Sequence, residues 1–300
     1  MKAISDREFI LYRKLIYSKA GIWLSPTKKA FLEARLSRRL RELGMDSFQA
    51  YYQYVTQNPD GSELEQLLDR VSTNETHFFR EPRQFEFLEQ QIFPDWKAQG
   101  DSGLRPRRIR VWSAGCSTGE EPYSLAMILL DHFPRGSRWE IEIIATDLSS
   151  RVLKSAQKAV WSIVKAKEIP QSYLKRFMLK GTGSQQAYMK AGTEIQAIIR
   201  FQQLNLNDDH YAVPEPFDLI FCRNVLIYFD AASRARVVYR LVNCLAPGGF
   251  LLVGHAESLN GVSDRIRHVR PTIYVQGSAK SFASNRAPGQ GGETSTIPCL

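Results

Sequence analysis

With 300 residues, 43% of them apolar and 24% charged, the chain has the make-up of a soluble globular protein with room for two domains and a substantial core. No apolar run reaches bilayer-spanning length, no signal-type apolar stretch follows Met1, and Cys116, Cys222, Cys244 and Cys299 form no C-x-x-C pair; membrane and disulfide-scaffold classes are excluded, and a cytoplasmic protein with free thiols is expected. The net charge of +9 is uneven: residues 1–45 carry eleven Lys or Arg against four acids, which predicts either an acidic partner (nucleic acid or protein) or a solvated basic face.

Residues 1–70 read as an all-helical domain. Ser25-Pro26 has the form of an N-cap followed by a first-turn proline, and Gly44 that of a C-terminal stop. Between them Leu32, Leu36, Leu40 and Leu43 recur at helical spacing and predict a buried stripe. On a helical wheel Arg38 and Arg41 project nearly opposite that stripe, Arg35 lies near its edge and Arg39 closer in. Phe48, Tyr51, Tyr52 and Val55 continue the apolar pattern into another core helix. Residues 71–106 read as a linker and connecting helix. The run Ser72-Thr73-Asn74-Glu75-Thr76-His77-Phe78-Phe79-Arg80 leads to helix at 85–93 and a loop at 100–106.

From 107 to 276 the pattern is α/β. Ile109, Val111 and Trp112 form a strand that breaks into Gly115-Cys116-Ser117-Thr118-Gly119, and a helical pattern follows at once to His132. A strand, tight turn and helix N-terminus expose backbone N–H groups to a ligand, although the loop lacks the full G-x-G-x-x-G spacing and an ordinary βα turn stands as an alternative. A strand over 139–146 ends at Asp147, whose carboxylate is placed either to accept from ribose hydroxyls or to cap the next helix, 149–160. Residues 161–199 read as a small antiparallel insertion with a Gly181-Thr182-Gly183 turn and short β-like runs at 187–190 and 195–201. The sheet resumes at 201–206, and Phe217-Asp218-Leu219-Ile220-Phe221-Cys222 has the composition of a strand buried on both faces. It runs into Arg223-Asn224, a costly place for an arginine unless it meets a ligand or partner. A helix over 231–245, a Pro247-Gly248-Gly249 turn, a strand over 250–253, a basic connection and a last strand over 272–275 complete the domain. Residues 277–300 read as a disordered tail.

Four blocks together resemble the chemotaxis protein methyltransferase (CheR) family: STNETHFFR at 72–80, VWSAGCSTGEEPYSLA at 111–126, ATD at 145–147 and FDLIFCRNVLIYFD at 217–230. The similarity includes PGGFLLVGHAES at 247–258 and covers residues 5–275. It implies an α/β fold, a Rossmann-like class I S-adenosylmethionine-dependent methyltransferase with an all-helical N-terminal domain and a small antiparallel β insertion. The implied reaction transfers the methyl group of S-adenosyl-L-methionine, leaving S-adenosyl-L-homocysteine, to glutamate side chains in the cytoplasmic helices of bacterial chemoreceptors. Carried over by motif, the cofactor residues are Asn74, Thr76, Arg80, Glu120 (or its neighbour Glu121), Asp147, Asn205, Leu206, Arg223 and Asn224. Arg80 or Arg223 suits the cofactor carboxylate, Asp147 the ribose diol, and Asn205 with the Leu206 backbone the adenine edge. The acceptor carboxylate is already ionised at neutral pH, so no catalytic base is expected, and no metal. Phe78, Phe79, Tyr228 and Phe229 are expected as site walls or as core.

The same resemblance assigns acidic receptor helices as partners of Arg35, Arg38 and Arg41. It likens the insertion to a β-subdomain that in some family members grips a C-terminal receptor peptide. Gly181 and Gly183 match that loop, while Ala187 stands where a further glycine is expected. The expected protein is a monomer that binds neither nucleic acid nor membrane. Competing classes are an RNA methyltransferase holding phosphates on the basic helix, and a non-catalytic receptor adaptor. Against the first, Arg223-Asn224-Val225-Leu226 stands where many base-amino methylases carry an aromatic-proline motif.

Overall fold

Four helices open the chain in the computed structural model, which describes residues 3–58 and 60–277: α1 (Asp6–Ala20), α2 (Lys29–Glu42), α3 (Phe48–Gln57) and α4 (Ser62–Val71). Helix α1 starts with a reciprocal capping box between Ser5 and Glu8 and stops at Gly21 in the left-handed conformation. Leu32, Leu36 and Leu40 are wholly buried and join Tyr12, Ile16 and Tyr51 in a core of their own, with Leu43 at its margin. Ser25 departs from expectation. Its hydroxyl meets Thr27 instead of a backbone N–H, and Pro26 opens a 3-10 turn ahead of α2. The inward lean of Arg39 has a cause: Nε and Nη2 donate to the buried Glu63 at 2.9 and 2.6 Å, and the Tyr51 hydroxyl donates to the same carboxylate. Arg35, Arg38 and Arg41 remain exposed.

The connecting helix is longer than its apolar pattern indicates. A π-helical turn over Leu88–Ile92 joins α5 (Pro82–Phe87) to α6 (Phe93–Asp101). Gly100 therefore lies inside a helix, and it is glycine because the Trp139 ring would stand 2.5 Å from any Cβ there.

The α/β half builds β1 (Arg108–Ala114), α7 (Glu120–His132), β2 (Glu140–Asp147) and α8 (Ser150–Lys158). It continues through β3 (Val160–Ser162), α9 (Gln171–Phe177), β4 (Met178–Lys180), β5 (Tyr188–Ala191) and α10 (Thr193–Gln196). It ends with β6 (Ile199–Gln203), β7 (Phe217–Cys222), α11 (Ala231–Asn243), β8 (Leu245–Val253), β9 (Ile266–Arg270) and β10 (Ile273–Gln276). The main sheet has the order β6-β2-β1-β7-β8-β10-β9, parallel through its first five strands and antiparallel at β10 and β9. Alternation along β1 feeds two cores. Ile109 and Val111 pack on one face with Leu125 and Ile128 of α7; Trp112 and Ala114 pack on the other with Val238 and Leu241 of α11.

Three expectations about the elements are corrected. Helix α8 stops at Lys158, because Ala159 turns left-handed (φ +55°) and Val160 enters a strand. The insertion is a three-stranded sheet of order β3-β5-β4, while Ile195 lies in a helical turn and 199–203 pairs with β2 in the main sheet. Strand β4 is too short for alternation to show. The basic connection is itself an edge strand, β9, whose exposed arginines mask the buried Ile266; charge on an edge strand resists pairing with another chain. The predicted tail at 277–300 lies, beyond Gly277, outside the described residues.

Candidate active site

A cleft of about 960 Å³, open to solvent, lies at the carboxyl ends of β6, β2, β1 and β7, where the chain reverses its direction across the sheet. Gly115, at φ +87°, carries β1 into the floor, and Val225 fills the space its side chain would need: a Cβ there would lie 2.4 Å from Val225 Cγ2. Ser117 follows, also left-handed, and its N–H donates to Asp147 at 2.9 Å.

Asp147 closes β2 inside the cleft. Its other carboxylate oxygen accepts from Ser149 N at 2.9 Å, and Ser149 is the N-cap of α8. Ribose acceptor and cap support are thus not exclusive, since each oxygen keeps a further lone pair. Burial pushes the carboxyl above the usual aspartate range, opposed by the two N–H donors and reinforced by Asp69.

The linker forms the opposite wall and is fixed along its length. Ser117 Oγ donates to Asn74 O, Lys165 Nζ to Thr76 O, Phe78 N to Glu168 and Phe79 N to Ser124. Arg80 projects into the cleft, donates to Glu75 O at 3.2 Å, and among the described residues has no carboxylate partner.

Arg223 behaves differently. Its Nε donates to Glu121 at 2.7 Å, and its Nη1 donates to Arg80 O and Gln84 Oε1. Phe85 and Phe221 lie against the guanidinium, and the side chain is 2% exposed. Its cost after a central strand is therefore met by internal partners. Of these two cleft arginines, Arg80 is the one without a carboxylate partner among the described residues.

Of the residues expected to hold a cofactor, Asn74, Thr76, Arg80, Asp147, Asn205, Leu206, Arg223 and Asn224 line this cleft. Glu120 does not. It faces away, fully buried, between Lys165 at 2.6 Å and Thr118, and Glu121 lines the cleft instead, bonded to Ser113 and Arg223. The first turn of α7 points consecutive side chains about 100° apart, so only one of the pair can face the cleft. Tyr228 and Phe229 are walls, whereas Phe78 meets Trp161 edge-on in the core and Phe79 stacks on Tyr173. The Asn205 amide donates to Lys19 O at 2.6 Å and accepts from Asn207 N, so its side chain shapes the turn at the rim.

Sequence reasoning missed Ala20 and Ile22, which the helical unit contributes to the lining. They reach it because Ile22 bridges Phe229, Trp23 N donates to Tyr228 O, and Tyr17 donates to Asp230. These are contacts across more than 200 positions of chain, for which no local pattern exists.

Residues 74–275 match the family model described as CheR methyltransferase, SAM binding domain, and 7–72 match CheR methyltransferase, all-alpha domain. The chain belongs to the CheR methyltransferase family. A Vibrio cholerae relative named chemotaxis protein methyltransferase 2 is 38% identical, the match covering 89% of this chain and 90% of the relative. An Escherichia coli relative named chemotaxis protein methyltransferase is 36% identical, with 91% and 92% covered. In this CheR-family chain most of the cleft lining comes from the SAM-binding match, and its donor set fits the cofactor: a guanidinium with no carboxylate partner among the described residues, a lone-pair-bearing carboxylate for a diol, and apolar walls for a base.

Proposed function

We propose that the chain methylates glutamate side chains of bacterial chemoreceptors, using S-adenosylmethionine bound in this cleft. The observation that carries the reading is the pairing of Arg80, free of carboxylate partners among the described residues, with Asp147 across the carboxyl edge of the sheet in a CheR-family chain. Arg80 would hold the amino-acid carboxylate and Asp147 the ribose, with Asn74, Thr76, Leu206 and Asn224 completing the lining. When bound, the cofactor supplies an electrophilic methyl group. The chain's own task is then to orient and to exclude water.

An acceptor glutamate has an ordinary pKa of about 4.3 and is anionic at neutral pH, so no general base is required. Orientation of two reactants contributes roughly 7–11 kcal/mol to such reactions. The buried Arg223–Glu121 pair and the bonded linker keep the walls in register for it. A drier site also favours a reaction in which opposite charges diminish; Tyr228, Phe229 and Ile22 supply the apolar wall.

Residues 1–70 would serve as the receptor-facing domain, 71–106 as the connection, and 107–276 as the methyl-transfer domain with its insertion at 161–199. Arg35, Arg38 and Arg41 are exposed and available to acidic receptor helices in the cytoplasm. A tether for a receptor C-terminal peptide would use the edge strand β4 and its loop. Gly183 there is left-handed, and a Cβ on Gly181 would strike Gln185 O at 2.0 Å. Ala187 has no left-handed backbone, so the loop needs no glycine at that position.

The test is incubation with methyl-labelled cofactor and separate receptor, RNA and control-protein samples. Base-labile label on receptor glutamates supports the proposal. Base-stable label on RNA, or no transfer to receptor, overturns it.

A further inference from the structure

The wall formed by residues 223–229 carries Asn224, Val225 and Tyr228 into the cleft, yet it is a loop with a left-handed residue, Asn224, at φ +59°. Such a segment keeps one shape only when its surroundings hold it. What holds it lies on the far side from the cleft. Glu257, 4% exposed, comes from the GHAES run after β8 and does not touch the cleft. Its Oε2 accepts from Asn224 N at 2.8 Å and from Gly254 N at 2.6 Å, and its Oε1 accepts from Ile227 N at 3.1 Å. Among the described residues it forms no salt bridge, so these backbone amides, with a smaller contribution from Leu226 N, are what offset its burial.

The same turn reaches the other wall. His255 N donates to Glu81, the residue next to Arg80, at 2.9 Å. Gly254 is pressed against the loop so closely that a Cβ would lie 2.8 Å from Asn224 N.

We propose that Glu257 is a positioning residue of the cofactor cleft, its buried carboxylate fixing from behind the loop whose front face lines the site. This rests on the methyl-transfer reading above. A carboxylate is required because three N–H groups need an acceptor-only partner; an amide in its place turns its own N–H₂ against one of them.

The experiment is calorimetric titration of the full chain with S-adenosylhomocysteine, with melting temperatures and the KM for S-adenosylmethionine and for receptor measured in parallel. Glu257→Gln is expected to weaken product affinity about tenfold, the equivalent of one lost charge-assisted bond, and to raise the cofactor KM while leaving the receptor KM in place. Gly254→Ala, which pushes the same loop without altering the carboxylate, is expected to move the same readouts. Glu63→Gln removes a buried carboxylate from the helical unit; it is expected to lower the melting temperature with unchanged product affinity. Wild-type product affinity in folded Glu257→Gln overturns the proposal, as does an equal loss of affinity in Glu63→Gln. Wild-type protein that binds no product overturns the methyl-transfer reading and this proposal with it, a failure visible before any variant is compared.

Discussion

Arg223 Nε lies 2.7 Å from Glu121 Oε2, and the two side chains are only 2% and 10% exposed. This buried pair joins the end of β7 to the start of α7, and the guanidinium also holds the backbone of Arg80 and the side chain of Gln84. Removing one partner of such a pair leaves the other charge uncompensated, at a cost of about 3–5 kcal/mol. Arg223→Met is therefore expected to lower the unfolding free energy by that amount, moving the urea midpoint down accordingly, and to weaken cofactor binding through loss of the Arg80 contact. Glu121→Gln keeps an acceptor for Arg223 and is expected to cost less. Urea unfolding of the two variants checks the order.

In the proposed reaction Asp147 would bind the ribose diol as the ionised form, because only that form has both oxygens free of a proton. Burial raises its pKa above the ordinary aspartate range. The proton and the ligand compete for the same oxygens, so affinity is complete above the raised pKa and falls as pH drops through it. The expected outcome is an acid limb in the affinity for S-adenosylhomocysteine at a pH above that of ordinary aspartate titration. Asp147→Asn is expected to bind weakly at every pH, without that limb. Calorimetry across the mildly acidic to neutral range checks both, and an unchanged limb in Asp147→Asn would assign the titration to another group.

The legible parts of this protein are those written in local pattern. The leucine stripe of α2, the apolar run of β7 and the strand–turn–helix around Gly115 follow from spacing alone. So does the presence of Asp147 at a strand end. What could not be read depends on distant partners. The inward lean of Arg39 shows on the helical wheel, but its partner Glu63 is 24 positions away, and Arg223 is satisfied by residues more than 100 positions earlier. That Glu121 and not Glu120 lines the cleft goes with Lys165, which comes from the insertion and holds Glu120. Strands β4 and β9 were hidden for local reasons, one by its three-residue length and the other by the arginines of an edge.

Lys165 connects the insertion to the cleft wall. Its Nζ donates to Glu120 at 2.6 Å and to Thr76 O at 2.9 Å. Lys165→Met is expected to free the Thr76 carbonyl, weaken product binding several-fold and destabilise the chain by leaving Glu120 buried and unpaired. The double variant with Glu120→Gln removes that charge and is expected to recover stability but not affinity. A double-mutant cycle read by both melting and calorimetry separates the two effects. Recovery of affinity in the double variant would show that Thr76 needs no anchor.

Arg38 and Arg41 stand on the exposed side of α2, whereas Arg39 is fixed to Glu63 within the helical unit. Substitution here should therefore divide by side chain. Arg39→Ala strips the buried Glu63 of its cation and is expected to act on folding, seen as a lower melting temperature. The Arg38→Glu, Arg41→Glu double variant leaves the core untouched and is expected to change melting little. It reverses two charges on the surface proposed to face acidic receptor helices, so the receptor KM should rise while affinity for S-adenosylhomocysteine stays as in the wild type. Exposed charges act through a field that salt screens over about 8–10 Å. The wild-type receptor KM should accordingly rise with ionic strength, and that dependence should flatten in the double variant. Wild-type turnover and an unaltered salt dependence in the reversed protein would make this face ordinary solvated surface and move receptor docking elsewhere.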